Sequence, residues 1–72
     1  MMKIHEAVHL LKSGRIKAIR AGLCSDFWIY LPESKAYVQK YIHVPQLTGI
    51  RISEKEMKTY NMLEWNEFKI EE

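Results

Sequence analysis

Three groups of residues in this chain have types and spacings that can do chemistry. His5 and His9 stand four apart, in the order His5-Glu6-Ala7-Val8-His9. On a helix that spacing puts two imidazoles on one face, as in the H-E-x-x-H zinc motif. A zinc site would need a third ligand, and His43 or a distant carboxylate is all the chain offers. A chain of 72 residues has little room for a peptide cleft besides. Solvated helix positions therefore account for both histidines. Cys24 is the only cysteine and has no base beside it in sequence, so it reads as a buried or half-buried inert thiol. Ser, His and Asp are present without a triad spacing, and Gly14, Gly22 and Gly49 are too dispersed for a phosphate loop. The chain is not expected to be an enzyme, and no cofactor is called for.

The third group is cationic and aromatic. Arg20 and Arg51 supply planar paired donors that match phosphate oxygens. Trp28, Tyr30, Tyr37 and Tyr41 offer rings on which a nucleobase stacks. A nucleotide site needs both kinds of group in one concavity. The same residues fit a hydrophobic interface between copies with arginines at its rim, and the two readings are compatible. Nucleic acid would need a stripe of Lys and Arg. Here the net charge is only +2, the bases concentrate at positions 12 to 20, and acids crowd the C-terminal third.

The elements that must position these groups follow from periodicity. Ile4, Ala7, Val8 and Leu11 make one apolar helical face, widened by Leu10. Ser13-Gly14 stops the helix because glycine takes the left-handed cap conformation freely, and Lys12 suits the negative end of its dipole. A strand is expected over 15–20, with Ile16, Ala18 and Ile19, before the break at Ala21-Gly22. The strongest strand runs over 26–31 and pairs antiparallel with it. Phe27, Ile29 and Leu31 take one face, and Trp28 and Tyr30 the other. Ser25-Asp26 and Pro32-Glu33-Ser34 supply its turns. One helix cannot cover two apolar faces, so the second is expected to meet a partner, a ligand or another copy.

Residues 35–44 read as strand or helix, with β-branched and aromatic content favouring strand. As a strand they would turn Ala36, Val38 and Ile42 inward and Tyr37, Gln39, Tyr41 and His43 outward. Trp28, Tyr30, Tyr37 and Tyr41 would then share a face. A loop over 45–49 and a short strand over 50–52 follow. Ser53 and Glu56 have capping-box spacing, predicting a helix of two to three turns to about Asn61, with Met57 and Tyr60 inward. Phe68-Lys69-Ile70 is expected as a terminal strand with Phe68 and Ile70 on one face. The fold class is α+β in one domain, 1–72: a small antiparallel sheet, an N-terminal helix, and a short helix before the last strand. A lone thiol suits a reducing cytoplasm, and no apolar run approaches the roughly 18 residues of a membrane span. So small a core, with no internal disulfide available, points to a homo-oligomer.

Both ends of the chain carry a resemblance. Glu6-Ala7, Leu10-Leu11, Gly14-Arg15, Ala18, Arg20 and Gly22 resemble the opening of the Thoeris anti-defence two-like family of phage proteins. Its members begin with a Glu-Ala-Leu helix, a Lys-x-Gly turn and a strand ending in Arg-x-Gly-Trp; Leu23 stands at that tryptophan here. The stretch from Met62 to Ile70 is similar in order to the family's Met-Leu, polar turn, Asp-Trp and closing strand, with Trp65 or Phe68 in the tryptophan's place. The resemblance implies a symmetric homo-oligomer, dimer or tetramer, in the host cytoplasm. It would bind a cyclic nucleotide or ADP-ribose-type immune signal and withhold it without cleavage. Arg20 would take phosphate, Trp28 and Tyr30 would stack or line the interface, and Tyr37, Tyr41 and Arg51 would complete the site. Some relatives are anti-CRISPR proteins, which leaves a protein-binding inhibitor or adaptor acting through the aromatic face as the alternative. A nucleic-acid module is the third reading.

Overall fold

The computed structural model describes residues 1–70. Helix α1 (Ile4–Lys12) is followed by strands β1 (Ile19–Ala21), β2 (Asp26–Leu31), β3 (Ala36–Tyr41) and β4 (Ile50–Ile52). A single-turn helix α2 (Glu54–Met57) then leads to β5 (Trp65–Glu67). The strands form one antiparallel sheet in the order β4-β3-β2-β1-β5, the expected α+β architecture. No helix among the described residues is long and apolar enough to cross a membrane.

Helix α1 buries Ile4, Ala7, Val8 and Leu11, the apolar face read from the sequence. A nine-residue helix is marginal alone in water, so this docking holds it. It ends as its glycine dictates. Gly14 has φ +81, its N–H bonds Leu11 O at 3.2 Å and the Arg15 N–H bonds Leu10 O at 3.1 Å, which is the Schellman closure. That closure continues through Ile16 N–H to Leu10 O at 3.4 Å, which ties 15–16 to the helix end and delays β1 to Ile19, later than expected.

Residues 36–41 are strand, as their composition favours, but the covered face is the reverse of the expected one. Tyr37 is buried under the helices with Ile52 and Met57, whereas Ala36 and Val38 turn to the other face. Tyrosine and tryptophan carry more apolar surface than alanine and valine, so the core takes the aromatic side. Trp28 sits at its centre, edge-on to Trp65 at 5.7 Å and to Tyr60 at 5.6 Å.

Ser53 caps α2 by accepting the Glu56 N–H at 3.1 Å. The helix is shorter than predicted. After Lys58 the bonds tighten to Thr59 N–H···O Glu56 and Tyr60 N–H···O Met57, and the Thr59 hydroxyl also donates to Glu56 O. These three-residue closures end the α-helical ladder. Met57 is buried as expected, while Tyr60 keeps an exposed side. The last strand comes three residues earlier than expected because Trp65, opposite Ala21, fills the core. Phe68 extends it by one N–H to Ala18 O at 2.9 Å.

The loop before β4 approaches β3 closely. A Cβ added at Gly49 would stand 2.2 Å from Gln39 O and 2.5 Å from Val38 Cγ1. Backbone cannot yield as a flexible side chain does, so Gly49→Ala should cost about 1–3 kcal/mol in chemical denaturation. An unchanged denaturation midpoint would contradict this packing.

Candidate functional site

Register decides which side chains meet. Ile19 stands opposite Trp28, so Arg20 falls on the other face, in line with Phe27. Phe27 in turn stands opposite Lys40. Arg20, Phe27 and Lys40 therefore form a row across three strands, spaced about 4.8 Å from strand to strand. In the neighbouring row Ile29, Val38 and Arg51 line up across β2, β3 and β4. This face, away from the helices, is the open face.

It is not bare. Phe68 leaves β5 and stacks on Phe27, ring centroids 4.8 Å apart and planes 22° from parallel. It reaches across the Ala18 position, where there is no long side chain to obstruct it. The Arg20 guanidinium carbon lies 5.9 Å from the Phe68 ring centre, within cation–π range. Arg20 Nε donates to Cys24 O at 2.8 Å, which fixes the side chain and leaves the two terminal nitrogens for a ligand. Between the Phe68–Ile70 segment and the turn after β3 lies a cleft of about 450 Å³, with Phe27, Ile42, Pro45 and Lys69 among its lining residues. Its size suits a small ligand. A second concavity of about 420 Å³ lies against the same segment and includes Arg15, Lys17, Glu67 and Lys69.

The six residues singled out from sequence divide between the faces. Arg20 and Arg51 lie on the open face. Trp28, Tyr30, Tyr37 and Tyr41 share the opposite one, as expected of a strand, but that face is the core. Trp28 is 4% exposed and Tyr37 2%, so neither ring has a face free to receive a base. Tyr30 is half-buried and tilted against Tyr37, centroids 4.9 Å apart. Tyr41 is exposed at the far end of β3, opposite Asp26. Arg20 and the aromatic set thus do not converge, because a three-residue β1 in this register turns Arg20 away from Trp28. The aromatic beside Arg20 is Phe68. Sequence reading missed Phe68, Lys40 and Lys69 as site residues; the alternation of Phe27, Ile29 and Leu31 was the signal available.

Charge is segregated between the faces. The three ion pairs among the described residues are Lys3–Glu64, Lys12–Glu54 and Lys58–Glu54, none of which uses an open-face cation. Arg20, Lys40 and Arg51 have no carboxylate partner among those residues. Cys24 is exposed in the β1–β2 turn rather than buried. His5, His9 and His43 are exposed, and no group of three or more His, Cys, Asp or Glu converges among the described residues.

On the helix side, Glu54 joins the elements. It accepts the Tyr37 hydroxyl at 2.8 Å and pairs with Lys12 at 3.3 Å and Lys58 at 3.0 Å, linking β3, α1 and the end of α2. The Tyr37 hydrogen bond, then that from Lys58, lowers its pKa from the usual 4.5 to about 2. Burial, then the Glu54 hydrogen bond, holds the Tyr37 hydroxyl protonated well above the usual phenol range.

Comparison of the chain with family models, with curated proteins and with solved structures finds no match.

Because the folded pKa of Glu54 is depressed, its contribution is complete above pH 4.5 and is lost as pH falls through about 2. Its side chain is about one-third exposed, and solvent screening leaves a contribution on the order of 1 kcal/mol. Glu54→Gln keeps an acceptor for Tyr37 and removes the charge. The variant should be less stable than the parent at pH 7, with the difference vanishing towards pH 2 in urea titrations. A difference independent of pH would contradict the ion-pair account.

Proposed function

We propose that this protein binds a nucleotide-type signalling molecule on the open face of its sheet and holds it without cleavage, so withdrawing the signal from whatever it activates. The observation that carries the reading is the placement of Arg20 and Lys40 in one row with Phe27, beside the stacked Phe27–Phe68 pair and a ligand-sized cleft that Lys69 helps to line; Arg51 lies on the same face but one row away, opposite Val38. Cations beside an aromatic and an apolar floor suit a ligand with phosphates at one end and a flat ring at the other. Arg20 is the phosphate anchor, since its Nε is already engaged and its outer nitrogens are presented as a fork. Phe68 takes the stacking role that the sequence alone assigned to Trp28 and Tyr30. The resemblance to anti-defence proteins that sequester cyclic nucleotides or ADP-ribose derivatives supports the same class of ligand. Self-association belongs to this reading too. Two copies closing over the open face would seclude the ligand, and the bound phosphates would relieve repulsion between facing cations.

The test is retention. Purified protein is mixed with a panel of cyclic nucleotides and ADP-ribose isomers, filtered, and heated to release what it kept. One panel member should be retained and released intact. Arg20→Ala should weaken that retention about tenfold or more, as loss of a charge-assisted phosphate contact does, and cost about 1 kcal/mol of stability through the lost Cys24 bond. Release of a degraded ligand would make the protein an enzyme. No retention across the panel, with a stable complex captured from host lysate, would replace this reading with a protein-binding inhibitor or adaptor.

A further inference from the structure

The sheet's two edges are finished differently. At the β5 edge the chain supplies a partner of its own: Met2 N–H bonds Trp65 O at 2.8 Å and Trp65 N–H bonds Met2 O at 2.7 Å. At the other edge, β4 pairs with β3 on one side only. No backbone bond from outside the sheet reaches Ile50–Ile52 among the described residues. An open edge presents unpaired N–H and C=O groups that a further strand can take up.

The surroundings of that edge carry a pattern. Ile50 is 57% exposed, Leu47 58% and Tyr41 50%. A hollow of about 120 Å³, lined in part by Tyr41, Val44, Leu47 and Ile50, opens beside the strand. Arg51, the middle residue of β4, is exposed on the opposite face and has no carboxylate partner among the described residues. A strand laid along β4 would thus meet an apolar neighbour on one face and a cation on the other, in alternation.

We infer that the β4 edge is a docking site for an extended, acidic segment of a partner protein, which adds a sixth strand to the sheet. Its apolar side chains lie beside Ile50, one of them entering the hollow, and its intervening carboxylates lie beside Arg51. A second copy of this chain fits the edge poorly. Antiparallel pairing centred on the three-residue strand sets Arg51 against its own symmetry mate, and like charges directly opposite destabilise a sheet. The site is separate from the cleft and stands whether or not a nucleotide binds there.

The probes are two blocked octapeptides, one alternating Val and Glu and the other alternating Val and Lys. Binding to the full chain is followed by fluorescence anisotropy and mapped by backbone amide shifts. The Val–Glu peptide should bind about tenfold or more tightly than the Val–Lys peptide, by reversal of a cross-strand charge pair. Shifts should concentrate at 44–52. Arg51→Glu should invert the preference without changing the thermal midpoint, because the Arg51 side chain is exposed and makes no hydrogen bond or ion pair among the described residues. Equal affinity for both peptides, no binding of either, or shifts centred on Arg20 and Phe68 would overturn the inference. So would a dimer joined through β4 that the Val–Glu peptide fails to displace.

Discussion

A six-residue strand with large apolar side chains on both faces can give only one of them to a single nine-residue helix. In this chain β2 gives its Trp28–Tyr30 side to the helices, and the rest of the molecule is arranged around that choice. The aromatic side buries more surface per residue, and its rings find edge-on partners in Trp65 and Tyr60. Once Trp28 is inside, strand alternation sends Phe27, Ile29 and Leu31 outward, and register sends Arg20, Lys40 and Arg51 with them. The aromatic core and the cationic open face are therefore two results of one packing decision.

The outward face is then covered economically. Phe68 folds back onto Phe27, and the loop ahead of Gly49 closes on Val38, so that both of these open-face residues are buried without a second helix. What remains between the two flaps is a cleft with Lys69 in its lining, on the face that carries Arg20 and Lys40. Its polarity contrasts with the helix side, where Lys3, Lys12 and Lys58 are all neutralised by glutamates. A molecule whose net charge is only +2 would not draw anions by its total. Sorting the charges by face gives the open side a local field that the total conceals.

Much of the fold could be read in the residues. The spacing of Ile4, Ala7, Val8 and Leu11 identifies α1 and its buried face, Gly14 marks its end, and Ser53 marks the start of α2. The alternation of residues 26–31 identifies β2, and β-branched and aromatic content leans correctly to strand for β3. The last strand lies earlier than propensity predicts because Asn66 and Glu67 are poor strand formers, held in place by pairing with β1. The site was harder. Whether Arg20 joins Trp28 or Phe27 depends on a shift of one residue in the β1–β2 pairing, and turn residues 22–25 do not fix that shift from sequence. The stacking of Phe68 on Phe27 joins positions 41 apart in the chain, and no local pattern announces such a contact.

Both tryptophans belong to the core, and the proposed recognition face is the opposite one. Iodide quenching of tryptophan emission tests this most directly, since iodide reaches only exposed rings. With Trp28 and Trp65 at 4% and 1% exposure, emission should be blue-shifted, almost unquenched, and unchanged by any nucleotide the protein retains. Strong quenching that a retained nucleotide relieves would place a tryptophan in the binding site and contradict this account of the molecule's two faces.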